Sequence, residues 1–349
     1  MKKTVALLFG GKGEEHAISC RSAAAVLSHL DKKKYRAIPI GIDREGDFFF
    51  YRGDPERIGS GGFRRDTEHL LKTFPLRLGG RGGFFLDGEI LSVDAVFPVL
   101  HGRGGEDGEI QGTLSAAGLP FVGCDAAASA VSFDKAYTKA VAQSLSVPTA
   151  RGVCIAPSLS LDEAYRAVLA VLSPHAPWFV KPARQGSSFG ASVAKGKADF
   201  AKSYDLARAY GRVLVEEYIE NKTELELAFL EKEGAHLFAG PGRIASTAPL
   251  YSYDEKYKNA EAAVVGGAES TVTERVTEYA KRLTEALSLN SLARLDFFLT
   301  AEGQILFNEV NTLPGFTETS LYPRLWEAQG LSFTALLDIL IGEAIARFS

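Results

Sequence analysis

Along the chain, apolar runs of strand length alternate with segments whose apolar positions recur at helical spacing, the pattern of an α/β protein. Residues 4–9 (Thr-Val-Ala-Leu-Leu-Phe) are continuously apolar and predict a buried strand, with Gly10-Gly11-Lys12-Gly13 as a tight turn behind it. From Ser19 to Leu30 the positions Ala24, Val26, Leu27 and Leu30 have helical spacing, and Ala37 to Ile42 is apolar again. Strand, helix and strand in that order make the unit of a parallel sheet. Hairpin turns are predicted at Arg44-Glu45-Gly46-Asp47 and at Asp87-Gly88, while 52–66 and Gly79 to Gly83 read as surface connections. Val93 to Leu100 is a further buried strand, followed by the glycine-rich segment from His101 to Gly108, a helix over 109–118 and a short strand at Phe121 to Gly123.

The second half continues with a helix over 126–145, a break at Pro148, and strands at Trp178 to Pro182 and Gly190 to Ala194 around the loop Ala183 to Phe189. A helix is predicted over 199–210, then strands at Val213 to Tyr218 and Glu224 to Leu230, the latter alternating polar and apolar residues. Residues 245–270 lack periodicity and carry Tyr, Lys, Ser and Gly, so they read as a lid or a poorly ordered loop. An amphipathic helix over 273–287, paired strands at Ala293 to Leu299 and Gln304 to Glu309, and a terminal helix over 332–347 complete the chain. The expected fold class is α/β (α+β) in three domains, 1–125, 126–212 and 213–349, with 245–270 as the lid of the third.

Length and composition change this picture little. A chain of 349 residues suits two or three cores. A net charge of −4 leaves no basic excess to neutralise a phosphate backbone, so no nucleic-acid partner is expected. The apolar start after Met1-Lys2-Lys3 stops at Gly10, short of the roughly 7–15 residues of a signal-peptide core. No run is long and apolar enough to span a bilayer, so no membrane partner is expected. The cysteines Cys20, Cys124 and Cys154 are scattered without metal-ligand spacing, which fits a cytoplasmic protein with reduced thiols.

The chemistry concentrates in Phe307-Asn308-Glu309-Val310-Asn311. On a strand, Glu309 and Asn311 share a face, and Asp296 on the preceding strand lies within cross-strand reach, with Arg294 on the same face. Any one acid at a strand end is ordinarily solvent-facing. Two carboxylates and an amide oxygen together make a hard-oxygen set that suits Mg²⁺ held jointly with nucleotide phosphates. Neither a Walker A sequence nor a complete G-x-G-x-x-G occurs. The candidate phosphate cradle is therefore Lys181 to Gly190, where small residues allow close backbone approach and Lys181 supplies charge.

In order along the chain stand Gly10-Gly11 with Glu15 and Ser19, and His101-Gly-Arg-Gly-Gly-Glu-Asp-Gly-Glu-Ile-Gln-Gly112. Lys181-Pro through Gly186-Ser-Ser and Tyr253-Asp-Glu-Lys-Tyr257 come next, then Arg294-Leu-Asp296 with Glu309-Val-Asn-Thr-Leu-Pro-Gly315 and Ser320-Leu321. Over nearly its whole length the chain thus resembles the D-alanine–D-alanine ligase family of the ATP-grasp superfamily. The resemblance implies ATP between two antiparallel sheets, two Mg²⁺ (or Mn²⁺) ions, D-alanine as the small-molecule substrate, and a homodimer. It implies that Lys135, Lys181 and Lys256 contact phosphates, that Glu216 lies in the strand lining the adenine pocket, and that Glu224 binds the ribose. Asp296, Glu309 and Asn311 are implied metal ligands. Glu15 is implied to pair with the first D-alanine's ammonium, in a network with Ser187 and Tyr257. Ser320 and Leu321 are implied to receive the second carboxylate, with His101 nearby and Arg294 and the Gly315 N–H on the tetrahedral centre.

The sequence departs from the family pattern at Gln185 and Phe189 in the phosphate loop, at Gly240-Pro241-Gly242, and at Val265-Gly266-Gly267. Rival readings are a ligase forming D-alanyl-D-lactate or another pair, a Rossmann-type dehydrogenase, and a non-catalytic ATP-binding regulator. Lys256-Tyr257 argues for the dipeptide, the missing dinucleotide fingerprint argues against the dehydrogenase, and the retained lysines and metal ligands argue against the regulator.

Overall fold

The structure, a computed structural model, describes residues 2–244 and 263–348. The lid expectation over 245–262, and with it Lys256 and Tyr257, lies outside the described residues.

The predicted opening strand is β1, Lys3–Gly10, buried at every position but its first. Helix α1, His16–His29, crosses to β2, Tyr35–Ile42, which runs parallel to β1 in the register Leu8↔Ile40. The turn at 44–47 leads into β3, Phe48–Tyr51, antiparallel to β2. The connection 52–66 is more structured than its composition suggests, holding the short helix α2, Glu56–Gly59, and a 3-10 turn at Gly62–Arg65 that buries Phe63. Strands β4, Leu70–Leu78, β5, Arg81–Leu86, and β6, Glu89–Leu91, extend the sheet, with Gly79 and Gly80 turning β4 into β5 at positive φ. Strand β7, Ala95–Pro98, pairs parallel with β1 on its other side, giving the order β6-β5-β4-β3-β2-β1-β7. Helix α3, Glu109–Ala116, follows the glycine-rich loop.

The predicted helix over 126–145 is two helices, α4, Ala126–Phe133, and α5, Lys135–Ser144. Asp134 divides them because its extended backbone ends the first, while its carboxylate caps the Ala136 and Tyr137 N–H groups of the second. The pattern reading had nothing for β8, Gly152–Ile155, or α6, Leu161–Leu169, although Ser160 and Glu163 form a capping box legible in sequence. Then come β9, Trp178–Pro182, β10, Ser192–Ala194, α7, Lys197–Arg208, and β11, Val213–Glu217. These strands form a four-stranded sheet in the order β10-β9-β11-β8, so it runs one strand beyond residue 212.

The last sheet has the order β14-β13-β12-β15-β16, built from β12, Thr223–Lys232, β13, Ala235–Ile244, β14, Ala263–Val264, β15, Leu292–Leu299, and β16, Ile305–Asn311. Helix α8, Ser270–Ala286, covers one face through Val276, Ala280 and Leu283. Helix α9, Leu321–Ala328, was not predicted; α10, Phe333–Arg347, was. A single apolar cluster joins Leu7 and Phe97 of the first sheet to Leu230 of the third through Leu336 and Leu340 of α10. Thr334 donates to the His29 carbonyl, and Arg347 to the carbonyls of Phe121 and Gly123, so α10 fixes the first sheet against the third. Among the described residues no single helix is long and apolar enough to cross a membrane.

Candidate active site

Two clefts meet at Ser187 and Glu309, which line both. The first lies between the second and third sheets, about 780 Å³ of space including its open mouth. Lys181 on β9 and Glu216 on β11 face it from one side, and Glu224 on β12, Phe298 on β15 and Asn308 on β16 from the other. Asn308 and Glu309 are sequence neighbours, yet both reach the cleft. The reason is a bulge in the β15–β16 ladder, where Asp296 pairs with Glu309 but Phe297 pairs with Phe307, leaving Asn308 as the extra residue.

Cations and acids are interlocked here. Lys181 Nζ lies 2.8 Å from Glu216 Oε2 and 3.2 Å from Asn308 Oδ1. Lys139 Nζ approaches the other Glu216 oxygen at 2.6 Å. Lys135, one helical turn before Lys139, pairs with Glu309 at 3.1 Å and donates to the Gln185 carbonyl at 2.7 Å. Burial works against the Glu216 carboxylate, but the two ammonium groups outweigh it and hold its pKa below the ordinary value. Burial likewise lowers the pKa of Lys139 against the pull of Glu216. Phe179, Tyr218 and Ile219 add an apolar wall suited to a planar ring.

The second cleft, about 740 Å³ including its open mouth, gathers distant segments. Glu15, at the start of α1, accepts a short hydrogen bond from Ser187 of the loop between β9 and β10. Gly102 and Gly186 are small for this reason: a Cβ on either would stand 2.4 or 2.7 Å from Glu15 Oε2. His101 contacts the Leu313 carbonyl through Nδ1 at 3.0 Å and Ser22 Oγ through Nε2 at 3.1 Å. Glu106 accepts from the Leu313 N–H at 3.3 Å and from the Gly102 N–H at 2.9 Å. Both backbone groups of Leu313 are thereby held by side chains of the N-terminal sheet's loop, which sets the strand-to-helix segment carrying Gly315 and Ser320. Ser320 Oγ accepts the Thr317 N–H at 3.0 Å.

At the floor, Arg294 forks onto Asp296 through Nε and Nη2, both at 2.7 Å, and its Nε also lies 3.1 Å from Glu226 Oε2. Asn311 Nδ2 donates to Asp296 at 3.0 Å. Burial disfavours the guanidinium charge, but Asp296 and Glu226 more than offset this and raise its pKa above the ordinary value. Burial, with the nearby charge of Glu15, pushes the Glu106 carboxyl up to about 8. Burial lowers the pKa of His101.

All the predicted residues within the described region fall at these two clefts. Lys135, Lys181, Glu216 and Glu224 line the first; Glu15, His101, Arg294, Asn311, Gly315, Ser320 and Leu321 line the second; Ser187 and Glu309 line both. Asp296 joins them through Arg294 and Asn311. Glu216 lines the first cleft with its carboxylate held between Lys139 and Lys181. Sequence reading missed Lys139, Glu106 and Glu226. Lys139 stands four residues after Lys135 and Glu226 two after Glu224, so helical and strand periodicity carried the signal for both.

The described residues hold no group of three or more His, Cys, Asp or Glu side chains placed to bind a metal unaided. The oxygens of Asp296, Glu309 and Asn311 are hard donors that fit Mg²⁺ if phosphate oxygens complete its shell, and the lysines beside them fit those phosphates.

Comparison with known proteins places this geometry. Residues 4–124 match the D-ala D-ala ligase N-terminus family, and residues 156–342 its C-terminus counterpart. The chain is 37% identical over 358 residues to a D-alanine–D-alanine ligase of Corynebacterium glutamicum, covering 99% of this chain and 98% of that one. It superimposes on the VanG D-Ala:D-Ser ligase of Enterococcus faecalis with TM-score 0.88 and 34% identity, covering 99% and 100%. It also superimposes on the D-alanine–D-alanine ligase of Coxiella burnetii with TM-score 0.85 and 31% identity, covering 99% and 96%. The nucleotide-type cleft between two antiparallel sheets and the acid-lined cleft beside it therefore belong to an ATP-grasp enzyme, and the chain is a member of the D-alanine–D-alanine ligase family.

Proposed function

We propose that the chain joins two D-alanine molecules into D-alanyl-D-alanine for peptidoglycan precursor synthesis, converting ATP to ADP and phosphate. A carboxylate has no adequate leaving group. The γ-phosphoryl of ATP therefore passes to a carboxylate oxygen of the first D-alanine, giving D-alanyl phosphate and ADP. The neutral amine of the second D-alanine attacks the carbonyl carbon, the carbon–oxygen bond to phosphate breaks, and phosphate and the proton given up by the nitrogen depart. The observation that supports this reading is the meeting of the two clefts at Ser187 and Glu309, which puts the loop proposed for phosphate beside the acid proposed for the ammonium.

Lys135 and Lys181 serve the phosphates, Glu224 the ribose, and the strand of Glu216 the adenine pocket. Lys256 is assigned to the γ-phosphate. Glu15 pairs with the first ammonium and, with Ser187 and Tyr257, orients that substrate. His101 sits by the second-substrate site, whose carboxylate goes to Ser320 and Leu321. Arg294 and the Gly315 N–H stabilise the tetrahedral oxyanion, about 3–4 kcal/mol for each such donor. Asp296, Glu309 and Asn311 would hold two Mg²⁺ (or Mn²⁺) ions, which supply charge neutralisation to the transferring phosphoryl group. The proposed setting is the cytoplasm, with the chain as a homodimer.

The test is ADP release from purified protein with Mg²⁺-ATP and D-alanine, products identified by mass. Parallel arms hold L-alanine, D-alanine with D-lactate, and D-alanine with D-serine, the last because a structural neighbour is a D-Ala:D-Ser ligase. D-alanine-dependent ADP release yielding D-alanyl-D-alanine is the expected result. A mixed product dominating its arm would overturn the second-substrate assignment, and ATP binding without turnover would overturn the enzyme reading.

A further inference from the structure

Three adjacent strands put three carboxylates in one row. Glu226 on β12 pairs directly with Asp296 on β15, which pairs directly with Glu309 on β16. One register step along the same face, Ala228 pairs with Arg294, and Arg294 with Asn311. Asp296 and Glu309 have places in the proposed cation site; Glu226 has none. Its side chain is nonetheless only 10% exposed, a position where an acid without a task is costly.

The geometry points to Glu226 as the positioning residue that keeps Arg294 in place when Asp296 turns to a cation. The Nε–H of Arg294 is shared between Asp296 Oδ1 at 2.7 Å and Glu226 Oε2 at 3.1 Å, while Nη2 donates to Asp296 Oδ2. The same Asp296 carboxylate thus has two claims on it, as Arg294's fork partner and as a metal ligand. A buried guanidinium stripped of its acid is strongly unfavourable, so without a second anion Arg294 would oppose cation binding. Glu226 already lies on the Nε–H and needs only to tighten. The residue opposite Arg294 across the ladder is the small Ala228. Glu309, the remaining acid of the row, is held by Lys135 and is itself a proposed cation ligand. Glu226 therefore acts through Arg294 rather than on the metal.

This inference rests on the cation-site reading above, and the experiment separates the two. Mn²⁺ binding in the presence of ADP is followed by electron paramagnetic resonance on the full chain. Four proteins form the cycle: wild type, Glu226→Gln, Arg294→Gln and the double variant. Glu226→Gln is expected to weaken Mn²⁺ binding about tenfold, while adding it to Arg294→Gln changes affinity by less than about twofold. Glu226→Asp, which keeps the charge on a shorter stem, should recover part of the loss and serves if the glutamine variant does not fold. Equal losses in both backgrounds would show that Glu226 acts on the cation directly, and no loss in either would show that it does nothing for it; each overturns the inference. Asp296→Asn is the separate control. If that variant binds Mn²⁺ as wild type does, the cation-site reading itself fails.

Discussion

The two clefts solve different electrostatic problems with different architecture. In the first, lysines and acids are interlocked: Lys139 and Lys181 share Glu216, and Lys135 holds Glu309. Among the described residues, the second is lined by the carboxylates of Glu15, Glu226 and Glu309, with the proton-holding Glu106 beside them, against one cation, Arg294. A triphosphate needs ammonium groups held ready by neighbouring acids, whereas amino-acid ammoniums and divalent cations need a surplus of carboxylate. The first cleft lies between two sheets, with Lys181, Glu216, Glu224 and Asn308 on strands and the 185–189 loop across it. The second has a strand-borne floor of Glu226, Arg294, Glu309 and Asn311 under loops whose shape comes from His101 and Glu106 gripping Leu313.

The sharpest way to break this division is the residue shared by both clefts. Glu309→Gln should lower kcat/KM about a thousandfold or more, since several kcal/mol of charge stabilisation is lost. Steady-state assays should find the loss mainly in kcat; a change confined to one substrate's KM would mean that the clefts do not work as one site. Next in size, Lys139→Met should destabilise the protein by about 3 kcal/mol, the low end for breaking a buried ion pair because Lys181 remains with Glu216. Urea unfolding measures it, and the D-alanine KM should stay within twofold, marking Lys139 as a support of the first cleft only.

The smallest effect belongs to the loops. Glu106→Gln should raise the D-alanine KM less than tenfold and leave the ATP KM unchanged. Its pH signature is more telling. The folded carboxyl titrates at about 8 against an ordinary 4.5, so between these values the folded chain holds a proton that the unfolded chain releases. Stability from this group is therefore full below 4.5 and is lost as pH rises to about 8. Thermal unfolding across that window should show the decline in wild type and a flatter profile in the variant; parallel profiles would remove Glu106 from the account.

Where the chain is regular, its chemistry was legible. Alternation along 305–311 put Glu309 and Asn311 on one face, and cross-strand reach brought Asp296 in, all of which the ladder bears out. Helices and strands also surfaced where the apolar spacing was clean, as in β1, α1 and α8. Asp134 escaped because a cap residue in mid-pattern looks like an ordinary polar face, although it splits the predicted helix in two. Glu106 and Ser22 escaped for another reason. Their partners, Leu313 and Phe316, lie 207 and 294 residues away, and no local spacing encodes a bond across that separation.

What the sequence by itself determined is thus the α/β class, most elements, and the side chains that share a strand face. Those follow from periodicity, which is a property of the local backbone. Only the tertiary structure decided that Lys139 shares Glu216 with Lys181, that a bulge turns Asn308 and Glu309 both into the cleft, and that Glu226 shares Arg294 with Asp296. Each depends on which strands become neighbours and in what register, and that is settled by packing three sheets and the helices between them, not by any segment alone.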